Sequence, residues 1–229
     1  MQSTKARQAY SLILKITILI LTLLGQYVSA RQNNFMSGNH FLYYTNQSNI
    51  LVFLLMALLL PYEIKSAAKN KAANMPDFLL KLRFSITSAI FLTFVGFSVL
   101  LLPFQPKDYL LSPANLLVHN AVPILACADF ILFPTGDKKP KVLLGLICPT
   151  MYFVFIIIVG QTGHRFFGSV APYFFLDYEK LGWIKFSGAK IGVIYWMIFM
   201  GAVQTGLSTL LIRLQAKVLN KIEGEQCEG

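Results

Sequence analysis

The sequence predicts an all-α, polytopic integral membrane protein with about six transmembrane helices and both termini in the cytoplasm. Of its 229 residues, 55% are hydrophobic and 13% are charged, about half the charged fraction of a typical soluble domain. The 19 Phe and 10 Tyr residues suit a protein whose rings pack between helices and sit at membrane interfaces. Together with a mean hydropathy of +0.59, these features exclude an ordinary soluble domain.

Six stretches are apolar and long enough to cross a bilayer, which takes about 20 helical residues. Polar segments with turn residues separate them, and no segment is long enough for a soluble domain. We therefore predict a single transmembrane domain over residues 1–229. The connection 161–188 mixes aromatic and polar residues and is expected to lie on the membrane surface. The predicted spans are 10–30, 41–62, 82–103, 113–133, 142–160 and 189–212.

The first stretch has a second interpretation. Lys5 and Arg7 precede an apolar run that ends at Val28-Ser29-Ala30, a pattern that resembles a cleavable secretory signal. The run is long for a signal, and a retained first span gives a consistent topology. We therefore expect the span to be retained.

Lys and Arg are distributed unevenly between the two sides of the predicted bundle. Thirteen fall on one set of connections and six on the other, while Lys15 lies within the first span. The thirteen are Lys5, Arg7, Lys65, Lys69, Lys71, Lys81, Arg83, Lys138, Lys139, Lys141, Arg213, Lys217 and Lys221. Because positive loops stay inside, this asymmetry predicts cytoplasmic termini in a cell membrane. Scattered lysines that face anionic lipid also explain the net charge of +10, and nucleic acid is not an expected partner.

Thr45 and His119 are the candidate catalytic residues. Thr45 lies a few residues inside the second predicted span and His119 a few residues inside the fourth. Both spans run from the outer side to the cytoplasmic side in the predicted topology. At ~1.5 Å rise per residue, both side chains are roughly 5–10 Å below the outer interface. A hydroxyl and an imidazole at one depth have the chemistry of a nucleophile and its general base.

Three carboxamides accompany this pair. Asn49 is one helical turn deeper than Thr45, Asn115 is one turn above His119, and Asn120 follows His119 directly. Asn49 or Asn120 is a candidate donor to a developing oxyanion or a support for the imidazole. The alternative is structural, since Thr, Asn and His also hold membrane helices together by hydrogen bonds.

Three short motifs resemble a family of small six-span membrane proteins. Tyr43-Tyr44-Thr45-Asn46-Gln47-Ser48-Asn49 resembles the start of its second span, and Leu117-Val118-His119-Asn120-Ala121-Val122-Pro123 resembles its fourth. Pro172-Tyr173-Phe174-Phe175-Leu176-Asp177 resembles the stretch before its last span. The chain is thus similar to the bacterial branch related to the animal androgen-induced and androgen-dependent TFPI-regulating proteins.

The resemblance implies a hydrolase of the threonine type. The animal proteins cleave fatty acid esters of hydroxy fatty acids with one Thr and one His, and by position these are Thr45 and His119. The implied activity is lipid ester hydrolysis at the extracytoplasmic leaflet, with no cofactor and no metal. The alternative is a non-enzymatic lipid-binding or transport protein.

Several charged residues are candidates for supporting roles. Asp177 is either a third member that orients the catalytic His or, as we prefer, a helix cap or solvated loop residue. Arg165 and Lys180 are candidates for pairing with a substrate carboxylate. Asp129 lies about 15 Å from His119 at helical rise, so pairing with Arg83 or Lys81 is the better expectation.

Two further alternatives follow from other residues. His40, His119 and His164 all fall on the predicted outer side and would suit a hydrolytic zinc, although they lack the spacing of a zincin motif. Ala202 and Gly206 are spaced for close helix packing, either inside the bundle or in a homodimer. The three cysteines, Cys127, Cys148 and Cys227, do not suggest a disulfide framework.

Overall fold

The computed structural model confirms an all-α polytopic membrane protein. It describes residues 2–32, 39–69, 74–135, 139–188 and 190–227. Within these ranges six helical spans are long and apolar enough to cross a membrane. We number them span 1 (Lys5–Gln32), span 2 (Tyr44–Lys69), span 3 (Asp77–Phe104), span 4 (Pro113–Leu132), span 5 (Val142–Gln161) and span 6 (Val193–Ile222).

The described helices are not all α-helical. Spans 3 and 4 each contain a π-helical turn, and spans 3 and 5 contain 3₁₀ segments. The α-helices are Gln2–Gln32, Tyr44–Lys69, Asp77–Gly96, Lys107–Leu110, Pro113–Asn115, Val122–Leu132, Ile147–Gln161, Tyr178–Leu181 and Val193–Cys227. The π segments are Phe97–Leu101 and Leu116–Ala121. The 3₁₀ segments are Asn39–Leu42, Leu102–Phe104, Val142–Leu146 and Phe174–Leu176.

Several helices extend beyond the apolar stretches that predicted them. Span 2 continues through Pro61 to Lys69, and span 3 begins at Asp77 after Pro76, which has extended backbone angles. Hydropathy marks where apolar residues end, whereas a helix continues for as long as its backbone hydrogen bonds do. Residue 189, where the sixth stretch was predicted to begin, lies outside the described residues, as do Lys71 and Lys138 of the charge tally.

A cluster of buried charges joins the first four spans. The Lys15 ammonium is 2.6 Å from the Asp129 carboxylate and 3.2 Å from the Glu63 carboxylate, and it also donates to the Ser11 hydroxyl. Lys15 and Asp129 are fully buried. Lys15 thus ties span 1 to spans 2 and 4, a role that the sequence analysis did not predict.

Arg83 completes this cluster from span 3. Its guanidinium donates to the second Asp129 carboxylate oxygen at 2.8 Å and to the Asp129 and Phe133 carbonyls, so the predicted pairing with Asp129 is confirmed. Lys81 instead pairs with Asp77 at the surface, 2.6 Å away. Arg83 was tallied with a cytoplasmic loop, but it is buried within span 3. The arginine lies there because four acceptors, the Thr135 hydroxyl among them, bind its two terminal nitrogens.

The connection between spans 5 and 6 folds over one end of the bundle. We call residues 162–188 and 190–192 the cap segment. It contains a two-stranded hairpin, Phe186–Ser187 paired with Lys190–Ile191, and exposed rings such as Phe167. In contrast to the expected surface location, Tyr173, Phe175 and Leu176 are buried against the spans. The cap segment therefore forms part of the core at this end.

Span 6 presents its small residues outward. Ala202 and Gly206 are exposed, whereas Gln204 and Ser208 on the opposite face are fully buried. The Gln204 amide donates to the Ser88 hydroxyl and to the Gly145 carbonyl. Span 6 therefore packs inward through hydrogen bonds, and the homodimer stays a prediction.

The Lys15→Met variant should lose about 3–5 kcal/mol of stability, because it leaves Glu63 and one oxygen of Asp129 buried without their cation. The matched control is Lys81→Met. Its ion pair with Asp77 is more than half exposed, so the loss should not exceed about 0.5 kcal/mol. Thermal unfolding of the detergent-solubilised proteins measures both, and equal losses would contradict the structural role of Lys15.

Candidate functional site

Thr45 and His119 meet at the end of the bundle covered by the cap segment. The Thr45 hydroxyl oxygen is 3.2 Å from His119 Nε2, within hydrogen-bonding distance of a nucleophile and its base. Both side chains are buried, with 9% and 7% of their surface exposed. The structure therefore brings together the two residues that the sequence analysis paired from different spans.

The position of His119 follows from a proline four residues later. Pro123 has no amide hydrogen, so it cannot donate to the His119 carbonyl as a regular helix would require. The helix widens instead into the π segment Leu116–Ala121, a feature often found at functional sites. A similar π segment, Phe97–Leu101, precedes Pro103 in span 3. The two widened turns carry His119 and Phe97.

Aromatic rings hold the His119 imidazole in place. The Phe97 ring stacks on it with centroids 3.8 Å apart and planes tilted by 21°, and the Tyr109 ring approaches edge-on at 6.5 Å. Among the described residues, His119 Nδ1 has no hydrogen-bond partner. The imidazole is thus positioned by packing on one side and by Thr45 at Nε2.

Asn49 supports the backbone at this point. Its side-chain nitrogen donates to the Thr45 carbonyl at 2.8 Å and to the Val118 carbonyl at 2.9 Å. Both amide hydrogens are therefore committed to backbone, one on each of the two spans, and neither is free to serve an oxyanion. Asn49 links the segment that carries Thr45 to the residue before His119.

The other predicted supporting residues contact neither Thr45 nor His119 by hydrogen bonds in the described structure. Asn115 donates to the Leu110 carbonyl at 2.8 Å, and Asn120 donates to the Asn115 carbonyl at 3.2 Å. Both fasten the start of span 4. Asp177 accepts from the Lys180 backbone amide at the start of the short helix Tyr178–Leu181, as expected of a helix cap.

Tyr173 is a site residue that the sequence analysis did not assign a role. Burial raises its pKa to about 12, while hydrogen bonding with the side chain and backbone of Thr45 opposes that rise. The phenol therefore stays protonated at neutral pH and lies beside the Thr45 hydroxyl. It reaches this position from the cap segment, 128 residues after Thr45, and no local sequence signal marks that contact.

Two cavities meet at Thr45. The first has a volume of about 80 Å³ and is almost entirely apolar, with walls from spans 2, 3, 5 and 6 and the cap segment. The second, about 300 Å³, also borders His119 and is lined with polar groups that include Asn46, Gln105 and Tyr109. Thr45 and Tyr173 border both cavities, whereas His119 borders only the polar one. We call them the apolar cavity and the polar cavity.

The three histidines do not converge. His40 contacts Gln26 and Asn46, and burial lowers the pKa of His40. His164 contacts Asn39. Within the described ranges no group of three His, Cys, Asp or Glu side chains is arranged to hold a metal ion. The zinc alternative therefore has no support from this arrangement.

The cations proposed to pair with a substrate carboxylate already have partners. Arg165 is 3.1 Å from the Glu179 carboxylate, and Lys180 is 3.1 Å from the Asp177 carboxylate. Neither Arg165 nor Lys180 is among the residues that line the two cavities. The described polar cavity thus offers neutral hydrogen-bonding groups at Thr45.

Comparison with known protein families, curated proteins and solved structures finds no match to this chain.

The Asn49→Ala variant should lose about 1–3 kcal/mol of stability, because the buried Val118 carbonyl loses its side-chain donor and the Thr45 segment loses its link to span 4. Asn120→Ala is the control, since its amide is only partly buried and bonds within its own helix. Its loss should be less than about 1 kcal/mol. Thermal unfolding compares the two, and a larger effect at Asn120 would count against the bridging role.

Proposed function

We propose that this protein is a membrane-embedded hydrolase of lipid esters, with Thr45 as the nucleophile and His119 as the general base. The observation that carries the proposal is the 3.2 Å contact between the Thr45 hydroxyl and His119 Nε2, where an apolar and a polar cavity meet. The resemblance to the threonine hydrolases of fatty acid esters of hydroxy fatty acids supports the same assignment. Esters of that type are the proposed substrates.

The location of the site suits an amphiphilic substrate. The charge tally favours an orientation in which this end of the bundle faces the extracytoplasmic leaflet. There an ester can enter from the bilayer while water enters through the polar cavity. A hydrocarbon chain that moves from the bilayer into the apolar cavity exchanges its contacts with lipid for contacts with the cavity walls, which are apolar as well.

Acylation begins at Thr45. His119 Nε2 takes the hydroxyl proton as the Thr45 oxygen bonds to the ester carbonyl carbon, which gives a tetrahedral oxyanion. The carbon–oxygen bond to the alcohol then breaks, and the alcohol oxygen takes the proton from His119. The products of this half-reaction are the free alcohol and an acyl-threonine ester.

Deacylation repeats these steps with water. A water molecule from the polar cavity gives its proton to His119 Nε2 as its oxygen attacks the acyl carbon. The bond to Thr45 then breaks, Thr45 recovers the proton from His119, and a fatty acid is released. His119 thus ends the cycle neutral, with Nε2 again able to accept a proton.

Two aromatic residues stabilise the charges that form during this cycle. The protonated Tyr173 hydroxyl beside Thr45 is placed to donate to the oxyanion. When His119 holds the proton, the stacked Phe97 ring offers its negative face to the imidazolium. Phe97 thus supplies part of the stabilisation that a carboxylate gives in a three-residue catalytic system.

The Thr45→Ala variant should lose ester hydrolysis entirely, and His119→Ala should lose it by about 10²–10⁴-fold. A fluorophosphonate should label wild-type Thr45, as mapped by mass spectrometry, and the His119→Ala variant should label far more slowly. Thr45→Ala should unfold within about 1.5 kcal/mol of the wild type, because it removes little beyond the hydrogen bond of one hydroxyl. His119→Ala should lose more stability, because it also empties the buried space in which the imidazole stacks on Phe97. A folded wild type that neither labels nor hydrolyses lipid esters would overturn the proposal in favour of a binding or transport role.

The Tyr173→Phe variant should lower kcat by about 10²–10³-fold with little change in KM, because the donor acts on charge that exists only in the transition state. Tyr152→Phe is the control. Tyr152 also lines the apolar cavity, but its hydroxyl donates to the Leu42 carbonyl, so its kcat should stay within about threefold of the wild type. Equal losses of kcat in both variants would assign Tyr173 to packing alone.

A further inference from the structure

We propose that the apolar cavity is the acyl-chain pocket of the enzyme, that its volume of about 80 Å³ takes the first carbons of the unbranched hydrocarbon chain on the acid side of the ester, and that Gly96 limits the space for them. This inference rests on the proposed hydrolase function and adds to it a direction for the substrate. The alcohol portion of an ester leaves in the first half-reaction, whereas the acid portion stays bound to Thr45. The two portions can be assigned to the two cavities because His119 borders only the polar one.

The direction follows from the proton that His119 must deliver. The leaving alcohol oxygen takes its proton from Nε2, so the alcohol portion lies on the His119 side of the attacked carbon. His119 borders the polar cavity and not the apolar one. The acyl chain therefore extends from Thr45 into the apolar cavity. The water that later attacks the acyl-threonine enters on the side that the alcohol has left.

The lining of the apolar cavity suits a hydrocarbon chain. Beyond Thr45 its walls include Phe97, Leu101 and Phe153, with Met197 and Met200 from span 6. Methionine side chains are unbranched and flexible, so they adapt to chains of different length. The hydroxyls of Tyr44 and Tyr152, which also line the cavity, donate to the backbone carbonyls of Ala89 and Leu42. They are thereby satisfied and do not require a polar ligand.

Gly96 leaves this cavity open. It lies at the end of the α-helical part of span 3 and lines the apolar cavity. A Cβ atom built at Gly96 would meet no heavy atom within 4 Å. An alanine at this position would therefore fit without movement of the neighbouring protein atoms, and longer side chains would take up space at the wall of the cavity.

The test uses two fluorophosphonates that share a reactive head and carry either an ethyl or a dodecyl chain. Labelling rates at Thr45 are measured for the wild type and for Gly96→Ala, Gly96→Val and Gly96→Phe. The dodecyl rate should fall progressively with side-chain size, by at least about tenfold in Gly96→Phe, because methylenes lose their buried site. The ethyl rate should stay within about twofold in every variant.

Gly206→Phe is the matched control. Gly206 also has no heavy atom within 4 Å of a built Cβ atom, but it is on the outward face of span 6, away from the residues that line the cavity. Both of its labelling rates should equal those of the wild type. This control separates a filled cavity from a general effect of a large side chain on a membrane helix.

The outcomes separate the two proposals. If wild-type Thr45 is labelled by both probes but the Gly96 series slows neither or slows both equally, the acyl-pocket inference fails and the hydrolase remains. If neither probe labels folded wild-type protein, the proposed function itself fails. If Gly96→Phe does not fold, as judged by thermal unfolding, the Ala and Val variants decide by the same comparison of rates.

Discussion

The Asp129 carboxylate holds the bundle together at the end opposite Thr45 and His119. One oxygen accepts from Lys15 on span 1 and the other from Arg83 on span 3, while Glu63 on span 2 contacts the same Lys15 ammonium. In an apolar environment none of these charges is stable alone. The need to pair them therefore fixes how span 4 is rotated against its neighbours. Span 4 also carries His119. The direction in which the His119 side chain points therefore depends on this cluster.

The sequence predicts the helices and the central pair well, because both depend on patterns that a membrane makes strict. A bilayer requires about 20 apolar residues per helix, and a polar residue just inside such a stretch stands out. Thr45 and His119 could be paired because spans that run in the same direction place residues of equal depth side by side. Asp129 and Arg83 could also be paired by depth, because spans 3 and 4 run in opposite directions and Arg83 lies near the start of one and Asp129 near the end of the other. These predictions need only the depth of each residue.

The contacts that the sequence did not predict depend on rotation about a helix axis or on the path of a loop. Lys15 could be located within span 1, but which helix it faces depends on packing. Tyr173 reaches Thr45 through the turns of the cap segment, whose course is determined by buried contacts of rings such as Phe175. The contact between Phe97 and His119 depends on two widened turns. Depth alone could not distinguish Asn49, which bridges two spans, from Asn115, which fastens a loop.

The buried ammonium of Lys15 also has a consequence for biosynthesis. Span 1 precedes spans 2 and 4 along the chain, so Lys15 is synthesised before Glu63 on span 2 and well before Asp129 on span 4. A lysine at the centre of an inserted helix costs about 2.5–3.5 kcal/mol on translocon scales. Lys15 lies nearer the start of span 1, so its cost is lower, but it has no acidic partner at that stage. Insertion of span 2 brings Glu63 as the first partner of the Lys15 ammonium, and insertion of span 4 brings Asp129 as the second. The order of partners along the chain therefore makes assembly of the first four spans a sequential process, in which each later helix stabilises one already in the membrane.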